Sequence, residues 1–228
     1  MTSFKTDPPY RSRWPRCTVL WLQEQPSKEY SAVDVLERLY ARGGLVEPDM
    51  TNTLKWAERY DQLDSAIMTD YFFERGFTAT TMHEFEVRYD PDENALLWPV
   101  RDEQANLLGF IRRRVPPFYG KRYEYPKGFQ RVLHPLSHFV GSTALLVEGP
   151  LDALWLHQCG HPEGLAVLGS NLTRRQVTWL RRNVVRVVLM FDNDRDGRVG
   201  QEKAIEQLAG LYVFVVELPK GVKDPQEL

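Results

Sequence analysis

Residues 184–197 read VVRVVLMFDNDRDG, an apolar run that stops abruptly at three aspartates, Asp192, Asp194 and Asp196. The run is short and rich in β-branched residues, which suits a strand buried on both faces better than a helix. The same rhythm extends in both directions. Upstream, Ala144 to Val147 reads as a strand, Pro150 to Cys159 as a helix with proline in its first turn, and Leu165 to Leu168 as a second strand. Thr173 to Arg182 follows as a helix capped by Asn171 or Thr173, and then the quoted strand. Downstream, Arg198 to Leu208 reads as a helix and Leu211 to Val216 as a fourth strand. Apolar strands alternating with helices predict an α/β fold: a Rossmann-like parallel sheet with helices on both faces.

Such sheets gather their ligands at the edge where the strands end. Glu148 follows the first strand here, with Asp152 one helical turn on. Gly169-Ser170-Asn171 follows the second, Asp192 to Gly197 the third, and Glu217, then Lys223-Asp224-Pro225, the fourth. So many carboxylates at one edge repel one another unless cations lie between them. Hard oxygen donors suit Mg²⁺ or Mn²⁺, whose use at such an edge is phosphoryl transfer. Asp192 to Gly197 also matches the opening of an EF-hand calcium loop. That motif is excluded, because its twelfth position is Lys203 where a bidentate Glu is required, and a strand precedes it.

The remainder of the 228 residues is organised differently. Prolines and arginines break up the opening, and a helix is expected from Ser31 to Arg42, ended by Gly43-Gly44. A second helical stretch runs from about Thr53 to Glu74, interrupted near Leu63-Asp64 and stopped by Gly76. Val87 to Tyr89, Ala95 to Val100 and Leu107 to Ile111 then read as short strands of a small antiparallel sheet. Between Gly109 and Leu133 stand seven basic residues (Arg112, Arg113, Arg114, Lys121, Arg122, Lys127, Arg131), one acid (Glu124) and six aromatics. Cations that hold phosphates, interleaved with rings that stack on bases, have the composition of a single-strand binding surface. A solvated basic loop with its aromatics in the core has the same composition, and the neighbouring acid edge favours binding. Two cysteines, Cys17 and Cys159, cannot build a four-cysteine zinc ribbon, and His157, Cys159 and His161 straddle a helix end. No apolar run approaches the length that crosses a bilayer and no signal core opens the chain, so no membrane and a cytoplasmic location are expected.

The quoted residues, with Leu146-Val147-Glu148-Gly149-Pro150-Leu151-Asp152, Leu168-Gly169-Ser170 and Lys223-Asp224-Pro225, resemble a Toprim domain, in the variety found in bacterial and phage DnaG-type DNA primases. The segments Tyr71 to Phe77, Leu97 to Asp102, Leu108 to Arg113, Lys121 to Tyr123 and Phe129 to Arg131 are similar, in order, to motifs of the primase polymerase core. The resemblance implies Glu148 as a catalytic acid/base or metal ligand, Asp192 and Asp194 as paired ligands, and Asp152 and Asp224 as further acids of a Mg²⁺ or Mn²⁺ cluster. It implies three parts: an N-terminal extension over 1–52 with one or two helices, an α+β subdomain over 53–140, and a Toprim domain over 141–228. Arg112, Arg113, Lys121, Arg122, Lys127 and Arg131 are the expected contacts to nucleic acid or nucleotide.

The implied function is a nucleotidyltransferase, a DNA-dependent RNA polymerase making short primers from NTPs on a single-stranded DNA template. The resemblance reaches neither a zinc-binding nor a helicase-docking domain, so no zinc is expected. Those functions are expected on a separate zinc-binding subunit or helicase, or start-site choice works differently; such a compact core suits a phage or mobile element. Two alternatives share the edge: a Toprim nuclease using water as nucleophile, and a non-catalytic nucleic-acid-binding accessory protein in replication. A topoisomerase would need further domains to hold DNA and present a nucleophilic tyrosine.

Overall fold

A computed structural model of the chain describes residues 18–21, 51–64, 67 and 69–227. The helix expected at Ser31 to Arg42 lies outside them. Two sheets share one core. The larger has the order β1-β9-β8-β6-β7, where β1 is Thr18–Trp21, β6 Thr143–Val147, β7 Gly164–Ala166, β8 Arg186–Leu189 and β9 Tyr212–Glu217. β6 to β9 are mutually parallel, as expected. β1 was not anticipated and runs antiparallel along β9, pairing Thr18 with Glu217, so the sheet is mixed at that edge. Its four residues, Thr18-Val19-Leu20-Trp21, carry no alternation and are too short a signal to stand out.

Helices α4 (Pro150–Gln158), α5 (Arg174–Asn183) and α6 (Arg195–Gln207) connect the parallel strands. α4 buries Pro150 to Leu154 and Leu156, as a helix wedged between layers must. A capping box between Thr173 and Gln176 starts α5. α6 begins at Arg195, three residues earlier than expected, because the Asp194 carboxylate accepts the Gly197 N–H at 2.8 Å and caps it.

The smaller sheet is antiparallel, in the order β2 (Arg88–Asp90), β3 (Ala95–Arg101), β4 (Leu107–Arg114) and β5 (Tyr123–Glu124). Before it come α1 (Thr51–Asp61), α2 (Asp70–Glu74) and α3 (Ala79–Glu84). The interruption expected near Leu63-Asp64 lies between α1 and α2. α3 was not anticipated; Thr78 caps it by accepting the Thr81 N–H. β3 is buried on both faces. Leu96, Trp98 and Val100 join the main core, while Leu97 packs with Phe110 against Tyr60 and Leu63. The main core is continuous across residue 140, running from Phe72, Trp98 and Leu133 to Leu145, Leu154 and Val187. His134 also bridges to Ala166 on β7, its N–H donating at 3.1 Å. No helix among the described residues is long and apolar enough to cross a membrane.

Candidate metal centre and nucleic-acid face

The parallel register sets Leu146 beside Leu189, so the chain leaves β6 and β8 side by side. Glu148 and Asp192 meet there, and the Asp192 N–H donates to Glu148 Oε1 at 3.2 Å. Asp152, in the first turn of α4, is buried and packs against Gly149, where any side chain would strike its Oδ2. After β9 the chain returns to the same edge. The Asn193 N–H donates to the Lys223 carbonyl at 2.8 Å, which holds Asp224 beside the cluster. Asp224 Oδ1 accepts the Glu227 N–H at 3.2 Å and closes the last turn.

Electrostatics tie these acids into one group. Burial, then repulsion by Asp192, pushes Glu148 up to about 7. Burial, then Asp224, pushes Asp152 up to about 8. Asp192 rises to about 6 through burial, Asp224 and Asp194, opposed by Lys223 and Arg122. All three therefore resist ionisation without a countercharge. Each of the five expected acids acts electrostatically on at least one of the others, and Asp196 adds a further charge acting on Glu148.

The donor set fits a hard divalent cation. Asp192 Oδ1 is buried without a hydrogen-bond partner, an acceptor that a cation would satisfy. Among the described residues, no three His, Cys, Asp or Glu side chains are gathered so as to hold an ion as they stand.

The six expected basic contacts divide by environment. Lys121, Arg122 and Lys127 are exposed. Arg112 pairs with Glu93 and Glu124 and lies 4.4 Å over the Trp56 ring. Arg113 is only 4% exposed; it donates to the Tyr71 hydroxyl and lies 4.9 Å over the Tyr123 ring. Arg131 donates to the Leu168 carbonyl at 3.3 Å, beneath Gly169.

Arg75, within the Tyr71 to Phe77 segment, was not anticipated at the site. Its charge acts on Asp152, its guanidinium donates to Gln226 Oε1, and Gln226 Nε2 donates back to its carbonyl at 2.6 Å. Its Nε is buried without a partner. An Arg-Gly pair ending a helix is an ordinary cap, so its sequence alone gives no sign that it reaches the acid edge.

Residues 145–228 match the family model described as Toprim-like. A DNA primase from Clostridium acetobutylicum is 30% identical over 149 residues, covering 61% of this chain and 25% of the relative. Over those residues the chain is similar in sequence to bacterial DNA primases. It spans about a quarter of the length of those curated relatives. The Aquifex aeolicus primase (zinc-binding and RNA polymerase domains) superposes with a TM-score of 0.66 at 23% identity, covering 86% of this chain and 62% of that one. A DnaG primase catalytic domain bound to ssDNA gives 0.65 at 19% identity, covering 78% and 74%. At these identities the superpositions establish the fold alone: the chain shares the architecture of the DnaG catalytic core.

Proposed function

We propose that the chain is a primase catalytic core that makes short RNA primers on single-stranded DNA by divalent-metal-dependent nucleotidyl transfer. The observation that carries the reading is the acid edge itself. Glu148 and Asp192 are bonded across adjacent strand ends, Asp152, Asp194 and Asp224 are in electrostatic reach, and one Asp192 oxygen is buried unpaired. Kinship with DNA primases and the DnaG-like fold support the same reading.

In this reading a 3′-hydroxyl attacks the α-phosphorus of an NTP, and pyrophosphate leaves with its bonding electrons. Asp192, Asp194, Asp152, Asp224 and Glu148 would hold Mg²⁺ or Mn²⁺, which when bound activates the attacking oxygen and stabilises the leaving one. Glu148, half-buried at the same edge, would act either as a ligand of the metal or as the base that takes up the hydroxyl proton. Lys121, Arg122 and Lys127 would hold strand or triphosphate oxygens, while Arg112 and Arg113 shape the surface that carries them. The template would be single-stranded DNA, the kind of strand to which the DnaG catalytic domain of similar fold is bound.

The test is incubation of the purified chain with single-stranded DNA, labelled NTPs and Mg²⁺ or Mn²⁺. New labelled oligonucleotides support a primase. Shortened DNA would mean a nuclease, and retarded but unchanged DNA an accessory binding protein.

A further inference from the structure

Six aromatics lie in the basic segment, and the fold separates them sharply. Phe110 is buried, and Tyr123, Tyr125 and Phe129 pack on the main core, the last two stacked at 5.3 Å. Phe118 is half-buried. Tyr119 stands 98% exposed. It sits in the β4–β5 connection, between Pro116-Pro117 and Gly120, which adopts φ +88° with open space around it. The feet of this loop are fixed: the Arg114 N–H donates to the Arg122 carbonyl at 3.0 Å, and the Val115 N–H to the Asn94 carbonyl at 2.9 Å. The ring is thus held out by a hairpin and makes no packing contribution to it.

A single exposed aromatic is common on any surface. Two neighbouring features distinguish this one. Lys121 and Arg122 follow it after Gly120 and are exposed, and the Arg122 charge acts on Asp192 of the acid edge. A free ring next to free cations matches a nucleic acid strand, which presents an unpaired base next to phosphates.

We propose that Tyr119 is a stacking platform for one unpaired base of a single DNA strand whose phosphates lie on Lys121 and Arg122. This rests on the proposed reading of the edge as a template-directed polymerase and adds a base contact to it. The contact tolerates any sequence, because every base offers a π-face.

The test is a titration of the whole chain against a labelled dT16 strand and an abasic strand of equal length, at several salt concentrations. Tyr119→Ala is expected to weaken dT16 binding about five- to hundredfold, with the salt slope unchanged. Tyr119→Phe should bind as the natural chain does, and the abasic strand should not distinguish the three proteins. The proposal is overturned if Tyr119→Ala binds dT16 normally, if it loses both strands equally, or if Tyr119→Phe is as weak as alanine. Absence of the stacking effect with primer synthesis intact sinks this proposal alone. A natural chain that binds neither strand and makes no product sinks the polymerase reading as well.

Discussion

The Asp192 backbone N–H donates to Glu148 Oε1 at 3.2 Å, joining the loops that follow two adjacent parallel strands. This bond keeps a half-buried carboxylate at the sheet edge although its neighbours repel it, so position and charge can be tested separately. Glu148→Gln leaves an amide oxygen to accept the same N–H and removes only the charge and the proton site. The variant is expected to melt close to the natural chain and to lose at least about a hundredfold in labelled NTP incorporation. Near-normal turnover would make Glu148 a structural residue.

Gly197 is needed for space. A Cβ there would lie 2.8 Å from Glu148 Oε1 and closer still to the Asp192 carbonyl. Gly197→Ala is expected to cost about 1–3 kcal/mol of stability by overpacking and to disturb the Glu148–Asp192 pair. Thermal melting and incorporation should both fall. A fully stable, fully active variant would show that this turn gives way without consequence.

The cations separate structural from binding roles. Arg113→Ala removes a buried guanidinium from the Tyr71 hydroxyl and two aromatic faces, and should lower stability by about 1–3 kcal/mol. Replacing Lys121, Arg122 and Lys127 together should leave melting nearly unchanged. It should also flatten the log–log salt dependence of single-strand binding by ~0.7 for each phosphate that is no longer neutralised. An unchanged slope would mean that these three side chains are simply solvated.

Acid should loosen the core through histidine. Trp98 Nε1 donates to His134 Nε2 at 3.1 Å, and burial pushes His134 down to about 3. Burial likewise pushes His157 down to about 4. The unfolded chain takes up these protons near pH ~6.5 and the folded chain does not. Their stability is therefore complete above ~6.5 and is lost as pH falls towards their folded values. His134→Gln keeps an acceptor for Trp98 without a proton site, so its melting temperature should fall less between pH 7 and 4.5. Parallel curves for the two proteins would contradict this.

The alternating strands and helices after Gly141, and the acids at their ends, were legible because fully buried strands leave unbroken apolar runs and the chemistry follows each run. β1 and α3 were not, since a short edge strand and a six-residue helix carry no period long enough to read. The start of α6 was misplaced because Asp194 both belongs to the acid edge and caps the helix, and the spacing alone favoured only the first role. The basic segment was legible as composition only. That Arg113 is buried among rings and Arg112 is bound to glutamates depends on partners brought in from α1, α2 and β5, and that Tyr119 alone of the six aromatics stands in solvent depends on the hairpin that carries it.

The most direct measurement compares incorporation of α-labelled NTPs on single-stranded DNA by the natural chain and by Asp192→Asn, with Mg²⁺ or Mn²⁺ present. Expected are short labelled oligonucleotides from the natural chain and none from the variant, both proteins melting alike. Equal product from the two, or none from the natural chain under either metal, would contradict nucleotidyl transfer at this edge.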